Sequence, residues 1–133
     1  MNDQVVASVE RKTVEDLAGS LLSGKLTYAL AELSALPRAA VVVEDKYSRL
    51  FALTHVAGAR VAEAVAEAQA RFPSVPIVFC ETRPLAQEWV YRWLGACLTE
   101  LTAAHATSEL ETTFAAGPPL GDVPAGSRPV PQA

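Results

Sequence analysis

Five consecutive small apolar residues, Ala39-Ala40-Val41-Val42-Val43, run straight into Glu44. A strand with one wet face alternates apolar and polar side chains. An unbroken apolar run instead suits a parallel strand covered by helices on both faces. The flanking segments agree with that reading. Val5 to Glu10 has the pattern of a first strand. A helix from about Val14 to Ser23 follows, with Val14, Leu17, Ala18, Leu21 and Leu22 on one face and Gly24 as its stop. A second helix runs from about Leu26 to Leu36, and Pro37 ends it. Tyr47 to Thr54 fits a loop or a short helical or extended turn. Gly58 then introduces a helical pattern carried by Val61, Ala62, Val65, Ala66 and Phe72, which Pro73 closes. Val75 to Glu81 is the third strand, with Pro76 tolerated near its start. Thr82 and Pro84 open a long helix whose stripe includes Leu85, Trp89, Trp93, Ala96, Cys97 and Leu101. Strand, helices, strand, helix, strand, helix is an α/β arrangement of parallel neighbours with right-handed crossovers.

The chain has 133 residues, and its periodicity fades from His105 onward. Residues 117–133 hold five prolines and three glycines among small residues, a composition that predicts a disordered tail over 105–133 and one domain over 1–104. No apolar run reaches the ~18–20 residues of a membrane span. The polar N-terminus lacks a signal pattern, so the expected compartment is the cytoplasm, with no membrane partner. Cys80 and Cys97 make no zinc spacing with His55 and His105 and read as buried, inert thiols. The net charge of −4 excludes a generally basic surface. Residues 1–60 balance acid with base, however, and the acidic surplus lies in the later part, which leaves room for a local basic strip.

Sites in such sheets lie beyond the carboxyl ends of the strands. All three strands end in a glutamate: Glu10, Glu44 and Glu81. A polar residue is also the ordinary outcome of a strand leaving the core, and that plainer reading is preferred for Glu44 and Glu81. The first strand end is richer. Glu10 and Lys12 leave it on the same side, because strand side chains alternate. Thr13 and Asp16 then have the spacing of a capping box, with hydroxyl and carboxylate each reaching a backbone N–H. A carboxylate and an ammonium side by side at a strand end can bind a divalent metal and activate water for attack on phosphate. Plainer roles exist for the same residues: Asp16 as a cap, Arg11 as a surface cation, Glu10 and Lys12 as an ion pair.

Glu10-Arg11-Lys12, three residues, then Asp16 resembles the E-R-K-x-x-x-D signature of the XPF family of structure-specific DNA-repair nucleases. Ser20-Leu21 with Ser23-Gly24-Lys25-Leu26 is similar to that family's S-L-x-x-G-R-L. Val41-Val42-Val43-Glu44 is similar to its L-L-I-E strand, and Val78-Phe79-Cys80 with the following helix also fits. The resemblance covers roughly residues 4–97. It implies a restriction-endonuclease-like fold, a mixed or parallel sheet flanked by helices, and Mg²⁺- or Mn²⁺-dependent cleavage of branched or flapped DNA. It also implies pairing of two copies through the nuclease domain. Glu10 would be a metal ligand, Lys12 would polarise the attacking water, Arg11 would support phosphate or the neighbouring carboxylates, and Asp16 would complete the acidic cluster as a second metal ligand. The family also carries a Gly-Asp pair on the strand before this signature, and only nine residues precede Glu10 here. The expectation is therefore a fold without its first strands.

Two functions follow. One is a metal-dependent DNA endonuclease. The other is a catalytically inactive DNA-binding and dimerisation remnant of the same fold. A nucleotide-binding domain has no support, because neither G-x-G-x-x-G nor a P-loop is present.

Overall fold

The structure is a computed structural model that describes residues 5–115. The chain divides into two units, residues 1–98 and 99–133. The first is built on a three-stranded parallel sheet in the order β1-β2-β3, with β1 Ala7–Lys12, β2 Arg38–Val43 and β3 Ile77–Phe79. Helices α1 (Val14–Ser23) and α2 (Lys25–Leu33) join β1 to β2. A 3₁₀ turn at Tyr47–Ala52 and helix α3 (Gly58–Arg71) join β2 to β3.

β2 is the buried centre. Ala39 through Val43 are all shielded from solvent, as a central parallel strand requires. Its side chains divide between two cores. Ala39, Val41 and Val43 pack with Val14, Leu17, Leu26, Leu30, Leu50, Val61 and Val65 from the connecting segments. Val42 packs on the other face with Cys80, Ala86, Val9, Trp89 and Val90. Fully burying each leucine of the larger core contributes on the order of 1.5–3 kcal/mol.

Local chemistry sets the helix ends. Thr13 is extended (φ −80°, ψ 166°), and its hydroxyl accepts the Asp16 N–H at 3.1 Å, so α1 begins at the next residue. Gly24 ends α1 with φ 81°, a left-handed conformation that an L side chain adopts only with strain. α2 is shorter than its apolar spacing suggests. The N–H groups of Ala35 and Leu36 bond only three residues back, to the carbonyls of Glu32 and Leu33, which tightens the last turn into 3₁₀ geometry.

The last helix, α4, spans Arg83–Ala115, so the expected end of regular structure near residue 104 is corrected. In the second unit Thr107 Oγ1 bonds the Ala103 carbonyl at 3.0 Å, and His105 lies 3.1 Å from Glu109 one turn on. The His105–Glu109 pair, four residues apart on one face, is the kind of contact that supports a helix where the apolar stripe has faded. The rest of the expected tail, residues 116–133, lies outside the described residues. Among the described residues no helix is long and apolar enough to cross a membrane.

Gly58 opens α3 where the helix presses on the 3₁₀ turn. A Cβ there would fall on the Leu50 carbonyl oxygen and lie 2.6 Å from Phe51 Cα. Both are backbone atoms that no rotamer change can move. Gly58→Ala should therefore destabilise the protein by about 1–3 kcal/mol, despite alanine's better helix propensity. Urea denaturation of the two proteins checks this.

Candidate functional site at the strand ends

Parallel pairing brings the chemistry together. β1 and β2 run in register, Glu10 opposite Val41 and Lys12 opposite Val43, and the Glu44 N–H bonds the Lys12 carbonyl at 3.0 Å. Glu44 therefore follows β2 just beside the end of β1. Cys80 N–H in turn bonds the Val43 carbonyl at 3.0 Å, which places Thr82 and the start of α4 at the same end of the sheet.

Alternation then sorts the side chains. Glu10 and Lys12 share the Val41 and Val43 face, toward α1, whereas Arg11 shares the Val42 face, toward α4. Lys12 is the best anchored of them. Its side chain is 15% exposed, and its ammonium donates to Ser20 Oγ of α1 at 3.3 Å and lies 3.5 Å from the Glu10 carboxylate. Arg11 lies 3.6 Å from Glu44 Oε1, and Arg83 Nε donates to Glu44 Oε2 at 3.2 Å. The Glu44 side chain is only 11% exposed, so two cations offset a carboxylate drawn largely out of water.

A depression of about 180 Å³ at this end is lined by Arg11, Lys12, Thr13, Asp16, Glu44 and Arg83. Of the four residues singled out in the sequence, Arg11, Lys12 and Asp16 share it. Glu10 is not part of the lining and joins the site through its contact with Lys12. Only half of the expected capping box forms: Thr13 caps Asp16, but the Asp16 carboxylate makes no return bond among the described residues. The neighbouring Glu15 is bonded by Arg49 at 3.1 Å. Asp16 is one of the residues that line the depression.

Glu44, for which the plainer strand-end reading is preferred in the sequence, lines the depression, and so does Arg83, which no sequence feature marks. A glutamate after an apolar strand is common, and Arg83 has no local signature, because its partner lies 39 residues away in the chain.

The donor set can be compared with a divalent ion. Glu10 and Asp16 offer the hard oxygens that Mg²⁺ takes, and Mg²⁺ typically binds through one or two carboxylates together with waters and substrate phosphates. The donors fit in kind. In number they are sparse: among the described residues no three His, Cys, Asp or Glu side chains gather to hold a metal. The Glu44 oxygens are already engaged by arginines.

The chain matches the ERCC4 domain over residues 2–93, and it belongs to that family of nuclease domains. Two solved structures share its fold. XPF from Aeropyrum pernix in complex with DNA is 22% identical, with 73% of this chain and 47% of that one covered at a TM-score of 0.55. A second structure of XPF from Aeropyrum pernix is 20% identical, with 84% and 55% covered at a TM-score of 0.57. The chain thus spans about half the length of these proteins. No curated protein matches it.

The two cysteines stand apart from this chemistry. Both are buried and unpaired. Burial pushes the Cys80 thiol up, with the Glu81 carboxylate adding to the effect. Burial also raises Cys97, partly countered by Arg38. A raised thiol holds its proton at pH values where free cysteine is partly thiolate. At about pH 8 both thiols should react with a disulfide reagent at least about tenfold more slowly than free cysteine, and become fully reactive in denaturant. Timed labelling across pH 7–10 measures this.

Proposed function

We propose that this chain hydrolyses DNA phosphodiesters as an XPF-type structure-specific endonuclease domain, with the strand-end depression as its site. The observation that carries the reading is Lys12. Its ammonium is drawn largely out of solvent, fixed by Glu10 and Ser20, and set in a depression shared with Asp16. An ordinary surface lysine holds no fixed position. Anchoring one between a carboxylate and a hydroxyl, in the lining of a depression, suits a cation that must meet a reacting phosphate in a set geometry.

The roles follow from the atoms each residue offers. The Lys12 ammonium has three N–H donors; one goes to Ser20 and one faces Glu10, so one remains for a scissile phosphate oxygen or the attacking water. Glu10 keeps the ammonium oriented. Arg11, on the opposite face of β1, offers guanidinium donors to a neighbouring phosphate. Glu10 and Asp16 are the residues that would hold Mg²⁺ or Mn²⁺, and the bound ion would supply a more acidic water and offset charge gathering on the phosphate oxygens. Branched or flapped DNA is the proposed substrate, because the family resemblance in the signature runs to enzymes of that specificity.

A second reading has its own support. The sparse carboxylates, and the engagement of Glu44 by two arginines, suit a module that grips DNA without cutting it.

Flap and splayed-arm duplexes separate the two. With Mg²⁺ or Mn²⁺ the first reading expects strand cleavage that stops on chelation and falls by about a hundredfold or more in Lys12→Ala. Salt-sensitive binding with no cleavage in either ion would leave the second reading in place. Cleavage that survives Lys12→Ala would remove the assigned role of Lys12.

A further inference from the structure

Arg83 is the one residue of the depression contributed by α4, and nothing in the helix calls for it. The first turn of a helix favours negative charge, because the aligned peptide dipoles leave its N-terminus positive. α4 has no acidic residue there and begins with an arginine. The first-turn N–H of Leu85 is already met by the Thr82 hydroxyl at 3.3 Å. Exposed ion pairs add little to stability, and the Arg83 side chain is 68% exposed.

What its position does provide is a second guanidinium beside the first. The Glu44 carboxylate takes Arg11 on Oε1 and Arg83 on Oε2. One partly shielded carboxylate thus meets two cations, one from β1 and one from α4, on either side of itself. Arg83 uses only its Nε–H in that contact, so both of its terminal amino groups remain available. Two guanidiniums close enough to share a carboxylate are also close enough to share a tetrahedral oxyanion. The depression of about 180 Å³ beside them is open to solvent, so a phosphate can approach both arginines.

We propose that Arg83 and Arg11, braced by Glu44, form a two-armed clamp on one DNA backbone phosphate next to Lys12. This rests on the reading that the depression meets DNA, and adds a contact residue to it. Arg83 reads no base. It fixes the register of the strand relative to Lys12, as backbone contacts do. Arginine suits the task better than lysine, since its planar fork bonds a brace and a phosphate at once.

The test is binding of a fluorescent flap duplex to the full chain in the presence of a chelator, followed by anisotropy from low to moderate salt. Neutralising one phosphate contact releases about one fewer counterion. Arg83→Gln should therefore weaken binding by about tenfold and make the log–log salt slope shallower by about one. Arg83→Lys should restore the slope but not the full affinity. Arg92→Gln is the control, because Arg92 lies further along the same helix and pairs with Glu88 at 3.0 Å. It should bind as the parent does. Arg83→Gln with the slope and affinity of the Arg92→Gln control overturns the clamp alone. A parent chain that binds no duplex overturns the clamp together with the DNA reading beneath it.

Discussion

The in-register pairing of β1 with β2 is the constraint on which the site depends. Parallel strands exchange evenly spaced hydrogen bonds, and here the last rung, Glu44 N–H to the Lys12 carbonyl, ties an anion-bearing residue to a cation-bearing one. A slip of one residue would turn Lys12 toward α4 and Arg11 toward α1. Register is held because β2 has no tolerant face: Val41 and Val43 are needed by one core and Val42 by the other. The same packing that stabilises the sheet therefore sets which charges meet at its end.

Above that floor, each neighbouring element contributes one function. α1 supplies Ser20 to hold Lys12 and Asp16 to line the same depression, and the Thr13 cap fixes where that helix starts. The segment after β2 supplies Arg49, which ties that segment to Glu15 of α1. α4 supplies Arg83. None of these contacts is strong alone. Their effect comes from convergence on a strand tip whose backbone is already fixed.

The central strand, the helices and the family signature were legible because their causes are local. Val14–Ser23 was bounded by Thr13 and Gly24, and both act as the sequence suggests. Gly58–Arg71 likewise ends before Pro73. The misplacements have nonlocal causes. β1 runs on through Arg11 and Lys12, because β2 offers partners that far. β3 is only Ile77–Phe79, and at its outer edge Gln69 of α3 takes the N–H of Ile77 and the carbonyl of Val75 with its amide, a contact no local pattern announces. The helix past His105 has no apolar stripe to announce it, and the His105–Glu109 pair one turn apart accompanies it there. In the site, Arg11, Lys12 and Asp16 were reachable from spacing in one segment. The Glu44–Arg83 contact was not, because only the folded sheet brings those two together.

Trp89 and Trp93 lie one turn apart on α4 with ring centroids 5.5 Å apart and planes 14° from parallel. They are the only two tryptophans in the chain, and Trp89 rests against the small core under Val42. Excitation at the red edge of the absorption band therefore addresses a single optical unit, two coupled indoles seated beside the sheet. Its emission colour and near-ultraviolet dichroism report the seating of α4 without any label, and hence the anchorage from which Arg83 projects.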